Sequence, residues 1–155
     1  MTQGNETARR RSIVVGTDGS ERAERAVDRA GELGHSLGVK VHVVSSYSIG
    51  SGAVPMAGRA RGLSEADFTE EVNRTHAEQC VDHAQQRLER FGVESEGHVR
   101  LAEPADALLR IAHEQDAQMI IIGNRGMTGA RRVLGSVPNR VSHRAQCDVL
   151  IVDTS

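Results

Sequence analysis

The sequence predicts an α/β fold, a single domain with a doubly wound five-stranded parallel sheet and about four helices. Three observations predict it. Short apolar runs alternate along the chain with stretches whose apolar residues recur at helical spacing. The runs "SIVVG" and "QMIIIG" are continuous rather than alternating, as suits parallel strands buried on both faces. The chain has 155 residues, the size of one domain able to bury a real core.

The elements follow in order. Met1 to Arg11 is polar and reads as a disordered tail, leaving 12–155 as the domain; its Arg9–Arg11 run reads as solvated charge. Ile13 to Val15 is the first strand, breaking at Gly16. Ser20 then caps a helix, with Glu21 and Glu24 in its first turn, Ala23, Ala26, Val27, Ala30, Leu33 and Leu37 inward, and Gly38 as its stop. Val39 to Ser46 is the second strand. Ser48 to Gly62 is Gly-rich and aperiodic, a loop of the length that often forms a lid.

Ser64 opens the longest helix, with Asp67 three residues on. Phe68, Val72, Val81, Ala84, Leu88 and Phe91 mark its inner face and Gly92 its end. A weak strand follows around Gly97 to Leu101. Pro104 starts a third helix with Leu108, Leu109 and Ala112 inward. Gln118 to Gly123 is the strongest strand signal. Pro138 marks the first turn of a short last helix, with Val141 and Ala145 inward, and Asp148 to Asp153 is the final strand.

Composition narrows the function. Aromatic content is 2%, so the core is aliphatic and base-stacking platforms are scarce. The net charge of −2 offers no overall attraction to nucleic acid or acidic membranes. Cys80 and Cys147 make neither a disulfide framework nor a four-ligand zinc set. No stretch approaches the roughly 20 apolar residues that span a bilayer, and the N-terminus has no apolar signal core. A cytoplasmic protein with no nucleic-acid or membrane partner is expected. Of the 19 basic residues one is lysine, Lys40, so lysine-dependent chemistry would have to use that residue.

Open parallel sheets bind ligands beyond the carboxyl ends of their strands, where the strand order reverses. Two loops compete for that place: "GTDGS" after the first strand, and "GNRGMTGARRVLGSVPNR" after the fourth. The second belongs to a segment, Ala117 to Cys147, that carries Arg125, Arg131, Arg132, Arg140 and Arg144 and no acid. Glycines ahead of a helix N-terminus, with arginines nearby, suit a phosphate. A Walker A loop and a dinucleotide fingerprint are both absent from these segments.

The segments "IVVGTDGSERAERAVDRA", "IIIGNRGMTG" and "LGSVPNRVSHRAQCDVLIV" resemble the universal stress protein family, related to nucleotide-binding α-hydrolase-like domains, from about Ser12 to Thr154. Its ATP-binding members carry Gly-x2-Gly-x9-Gly-Ser/Thr in the last loop. The resemblance implies that Gly123, Gly126, Gly135 and Ser136 hold phosphates, with Val137 adding an amide and Arg125 lying near the ligand. Asp18 would lie near the adenosine, flanked by Gly16 and Thr17. The backbone around Ser45 and Ser46 would contact adenine. The implied ligand is ATP foremost, or another adenine nucleotide, alone or with Mg²⁺. Here eight residues, Met127 to Leu134, stand where the family has nine.

The expected function is adenine-nucleotide binding in a stress-response or signalling role, non-catalytic or at most slowly hydrolytic. A dimeric interaction module that has lost nucleotide binding is the alternative that the shortened loop favours. A weak Mg²⁺-dependent ATPase relying on Asp18 is the third reading. A homodimer through the C-terminal strand, Val149 to Val152, is also expected from the family, since pairing would cover an apolar edge.

Other combinations read as structural. His76, Cys80 and His83 share a helix face, as do His143 and Cys147, but neither set has enough ligands for a metal. No nucleophile elbow or triad pattern is present.

Overall fold

The computed structural model describes residues 12–49, 62, 64–124 and 135–153. The Met1–Arg11 tail, most of the Ser48–Gly62 loop, Arg125, Gly126 and the Met127–Leu134 spacer fall outside them. Strands are β1 (Ile13–Gly16), β2 (Val41–Tyr47), β3 (Ser95–Leu101), β4 (Met119–Gly123) and β5 (Asp148–Val152). Helices are α1 (Glu21–Leu37), α2 (Glu65–Glu89), α3 (Pro104–Glu114) and α4 (Ser136–Arg144).

All neighbouring strands pair in parallel, in the order β3-β2-β1-β4-β5. The chain first walks outward from β1 through β2 to β3, then returns to β4 on the other side of β1. The covering helices change face with that reversal. Ile13, Val15, Val41, Val43 and Ile121 pack under Ala26, Val27 and Ala30 of α1 and Val81, Ala84 and Leu88 of α2. Val14, Val44, Ile120 and Ile122 pack under Leu108, Ile111 and Ala112 of α3 and Val141 of α4. One crossover handedness produces this division, because reversing the walk must flip the helix to the other face. The split also explains the continuous apolar runs: Ile120 and Ile121 point to opposite faces, and both are fully buried.

The helix boundaries follow local chemistry. Ser20 Oγ accepts from the amide of Ala23 at the start of α1, and Gly38 ends it in the left-handed region. Ser64 caps α2 through the amide of Asp67. The helices are also pinned to each other, since Arg87 donates through Nε and Nη2 to the two carboxylate oxygens of Asp28 at 2.6 and 2.8 Å.

Several expectations need correcting. β2 starts at Val41 and runs on to Tyr47, because Gly38 and Val39 serve the turn: the amide of Val39 bonds to Gly34 O. β3 begins at Ser95, two residues before Gly97, since its partner β2 pairs from Val41. α4 begins at Ser136 rather than Pro138. Proline is tolerated at the third helical position because that N–H would have no intrahelical partner. Val72 and Leu37 are exposed rather than inward.

Candidate functional site

The reversal between β1 and β4 opens a cleft at the carboxyl ends of the strands, with a volume of about 330 Å³ among the described residues. That lies within the range of small-molecule sites, roughly 300–1,000 Å³. Its floor is apolar: Val44, Leu108 and Ile122. Its polar groups come from two opposed segments.

The first is the turn from β1 into α1. The amide of Thr17 bonds to Val44 O at 2.9 Å, tying the turn to β2. Asp18 Oδ1 accepts from the amide of Ser20 at 3.0 Å and from its hydroxyl at 2.5 Å. Gly19 sits between them with φ +76°, and a Cβ there would come within 2.8 Å of Cys80 Sγ. Only glycine fits that position without strain. Asp18 therefore acts as the local organiser of the turn as well as a cleft-lining carboxylate.

The second segment is the start of α4. Gly135 is its N-cap and supplies no side-chain cap bond, and no acid occupies the first turn. The amides of Ser136 and Val137 have no intrahelical partner, and the positive end of the helix dipole adds to them. Asp106 of α3 and Glu103, the residue that precedes α3, instead pair with the side of α4: Arg144 Nη1 reaches Asp106 Oδ1 at 2.6 Å, and Arg140 lies 3.6 Å from Glu103. Hydrogen bonding from Arg144, reinforced by its charge and that of Arg140, holds the Asp106 carboxyl below its usual range.

Gly16, Thr17, Asp18, Ser46, Gly123, Gly135, Ser136 and Val137 thus converge on one cleft, from positions up to 121 residues apart (Gly16 to Val137). Ser45 is buried and outside the lining; strand alternation turns its side chain to the opposite face from Ser46. Arg125 and Gly126 lie outside the described residues. Arg22, Glu103 and Pro104 also line the cleft. The signal for Arg22 was its place in the first turn after the cap Ser20; Glu103 and Pro104 carried none, because the approach of α3 is tertiary.

The remaining titratable clusters separate. His76 Nε2 lies 3.6 Å from Cys80 Sγ, whereas His83 turns to Glu24 at 3.6 Å, so the three do not converge. Burial, then the charge of Asp18, pushes the Cys80 thiol up. Burial and then Asp148 do the same to Cys147. Both thiols are therefore poor nucleophiles. Among the described residues, one group does bring metal-type donor atoms together: His42, Glu96 and His98. Sequence reading missed it, because it depends on the β2–β3 register.

The sequence matches the Universal stress protein family over residues 9–153. The chain belongs to the universal stress protein family. Universal stress protein Rv1636 of Mycobacterium tuberculosis H37Rv is 34% identical over 149 residues, covering 94% of this chain and 97% of that protein. Sll1388 of Synechocystis is 29% identical over 147 residues, with 90% and 96% covered. Among solved structures, a universal stress protein in complex with cAMP superposes with TM-score 0.70 at 34% identity, covering 94% of this chain and 98% of the other. The Archaeoglobus fulgidus universal stress protein in complex with dAMP gives 0.67 at 30% identity, with 91% and 96% covered. This universal stress protein also has, among its described residues, no helix long and apolar enough to cross a membrane.

Proposed function

We propose that the cleft binds an adenine nucleotide and that the protein acts as a nucleotide-responsive component of a stress or signalling pathway. One observation carries the reading: the acid-free N-terminus of α4 faces the Thr17–Asp18 turn across an apolar-floored cleft at the strand reversal. The amides of Ser136 and Val137 and the Ser136 hydroxyl take the phosphate. Leu108, Val44 and Ile122 take the apolar faces of the nucleoside, and Asp18 lies at the end away from α4. Relatives solved with cAMP and with dAMP support an adenine ligand. ATP, alone or with Mg²⁺, is the foremost candidate, and Gly123, Gly126 and Arg125 would extend the phosphate contacts.

Hydrolysis is slow or absent in this reading. Asp18 is the one acid in the two loops, and its Oδ1 is engaged by Ser20. In-line attack needs metal ligands and a positioned water besides. A homodimer would form through β5, an edge strand of the sheet. A second reading, a dimeric interaction module that no longer binds nucleotide, is favoured by the eight-residue Met127–Leu134 spacer.

Calorimetric titration of nucleotide-free protein with ATP, cAMP, AMP and GTP separates the two. Saturable binding of at least one adenine nucleotide, tighter than GTP, is expected. Failure of all four to bind at millimolar concentration would leave the interaction-module reading.

A further inference from the structure

A second group of chemistry-bearing side chains sits toward the amino-terminal ends of β2 and β3, away from the cleft. The parallel register sets His42 opposite Glu96 and Val44 opposite His98. Residues two apart on a strand share a face, so Glu96 and His98 project together, and His42 meets them from the neighbouring strand. His42 Nδ1 lies 2.9 Å from His98 Nε2, and His98 Nε2 lies 3.8 Å from Glu96 Oε1. One donor atom from each of the three falls within 4.8 Å of the others. Both rings are almost wholly buried, at 3% and 7% exposure, while Glu96 is half-exposed at the sheet edge.

The 2.9 Å between the two imidazole nitrogens is a separation that an ion's coordination sphere can span. Zinc-type ions hold imidazole nitrogen at about 2.0–2.1 Å, which puts two such ligands about 2.9 Å apart at a right angle and about 3.4 Å apart at the tetrahedral angle. Glu96 Oε1, 3.8 Å from His98 Nε2, would have to move inward to join them. Its other oxygen lies 3.4 Å from Lys40 Nζ, and Lys40 also pairs with Glu94 at 2.9 Å. Lys40 thereby orients Glu96, as groups behind metal ligands do. Glu94 and Glu96 together outweigh its charge by one unit, so the cluster still favours a cation. Two imidazoles and one carboxylate select borderline transition metals over Mg²⁺ or Ca²⁺.

We propose that His42, His98 and Glu96 form a binding site for a divalent transition-metal ion of the zinc type. His42 ligates through Nδ1, His98 through Nε2 and Glu96 through Oε1, with the remaining position open to the solvent at the β3 edge. The ion would clip the edge strand β3 to β2. The site uses no residue of the nucleotide cleft, although Val44 on the cleft floor follows His42 by two residues.

The test uses the untagged full-length chain, stripped with chelator and free of nucleotide. It is titrated with Zn²⁺ by calorimetry and with Co²⁺ by visible absorption. One ion per chain is expected, with Co²⁺ d–d bands. Glu96→Gln and His98→Gln should each weaken binding about tenfold or more, while Cys80→Ser leaves it unchanged. Lack of saturable uptake of either ion up to millimolar concentration would overturn the proposal and leave a direct imidazole–imidazole hydrogen bond. Wild-type affinity in both Glu96→Gln and His98→Gln would overturn it too. Should His98→Gln fail to fold, Glu96→Gln decides, because its side chain is half-exposed.

Discussion

Ser136 can be stripped of the amide hydrogen and hydroxyl that the proposed reading gives to the phosphate while its helix is left in place. Proline at the first position of α4 removes both the amide hydrogen and the hydroxyl. That position tolerates proline, whose fixed φ suits a first turn. The preceding Gly135, at φ −56° and ψ 160°, already has the extended conformation that a following proline demands. Ser136→Pro should keep the melting temperature of the nucleotide-free protein within a few degrees. Nucleotide affinity should fall about 10-fold or more, the loss of a bond to a charged group worth ~1.5–3 kcal/mol; calorimetry checks it. Asp106 offers a second test at this scale. Its folded-state pKa is depressed, so the pair with Arg144 adds stability above the ordinary carboxylate range and loses it as pH falls through the folded value. The contribution is small, because the pair is exposed. Carboxyl-detected NMR titration should find Asp106 below its usual range, moving up in Arg144→Gln but not fully, because Arg140 remains 3.5 Å away.

The helices and strands depend on close contacts that a residue list does not reveal. α2 crosses β3 at Gly97, where an added Cβ would overlap a methyl of Val81 and approach Gln85 Oε1. Gly97→Val should therefore destabilise the fold by about 1–3 kcal/mol, the usual cost of overpacking, read as a lower denaturant midpoint. Much at this scale was legible beforehand. The caps Ser20 and Ser64, the stop at Gly38 and the continuous strand Met119–Gly123 all follow from local rules. What was not legible came from tertiary placement. Val72 has the spacing of an inward residue, yet it is exposed. Ser45 and Ser46 are identical in type, and only strand alternation on this sheet puts one in the cleft and the other under the opposite helices. His42, Glu96 and His98 stand up to 56 residues apart and meet only through the β2–β3 register.

For the whole molecule, the strand order explains why distant segments share one site. β1 and β4 are neighbours whose following helices, α1 and α4, pack on opposite faces of the sheet, and the cleft lies at their carboxyl ends. Loop residues after those strands could be picked out in the sequence for that reason, whereas Glu103 and Pro104 entered only with the docking of α3. In the proposed reading, an adenine nucleotide sits between the Thr17–Asp18 turn and the start of α4. Backbone amide NMR of nucleotide-free protein titrated with ATP or cAMP tests it most directly. Saturable shifts should be largest at Thr17, Asp18, Ser136 and Val137, with little change at His42 or His98. A flat titration, or shifts centred away from these four residues, would contradict the account.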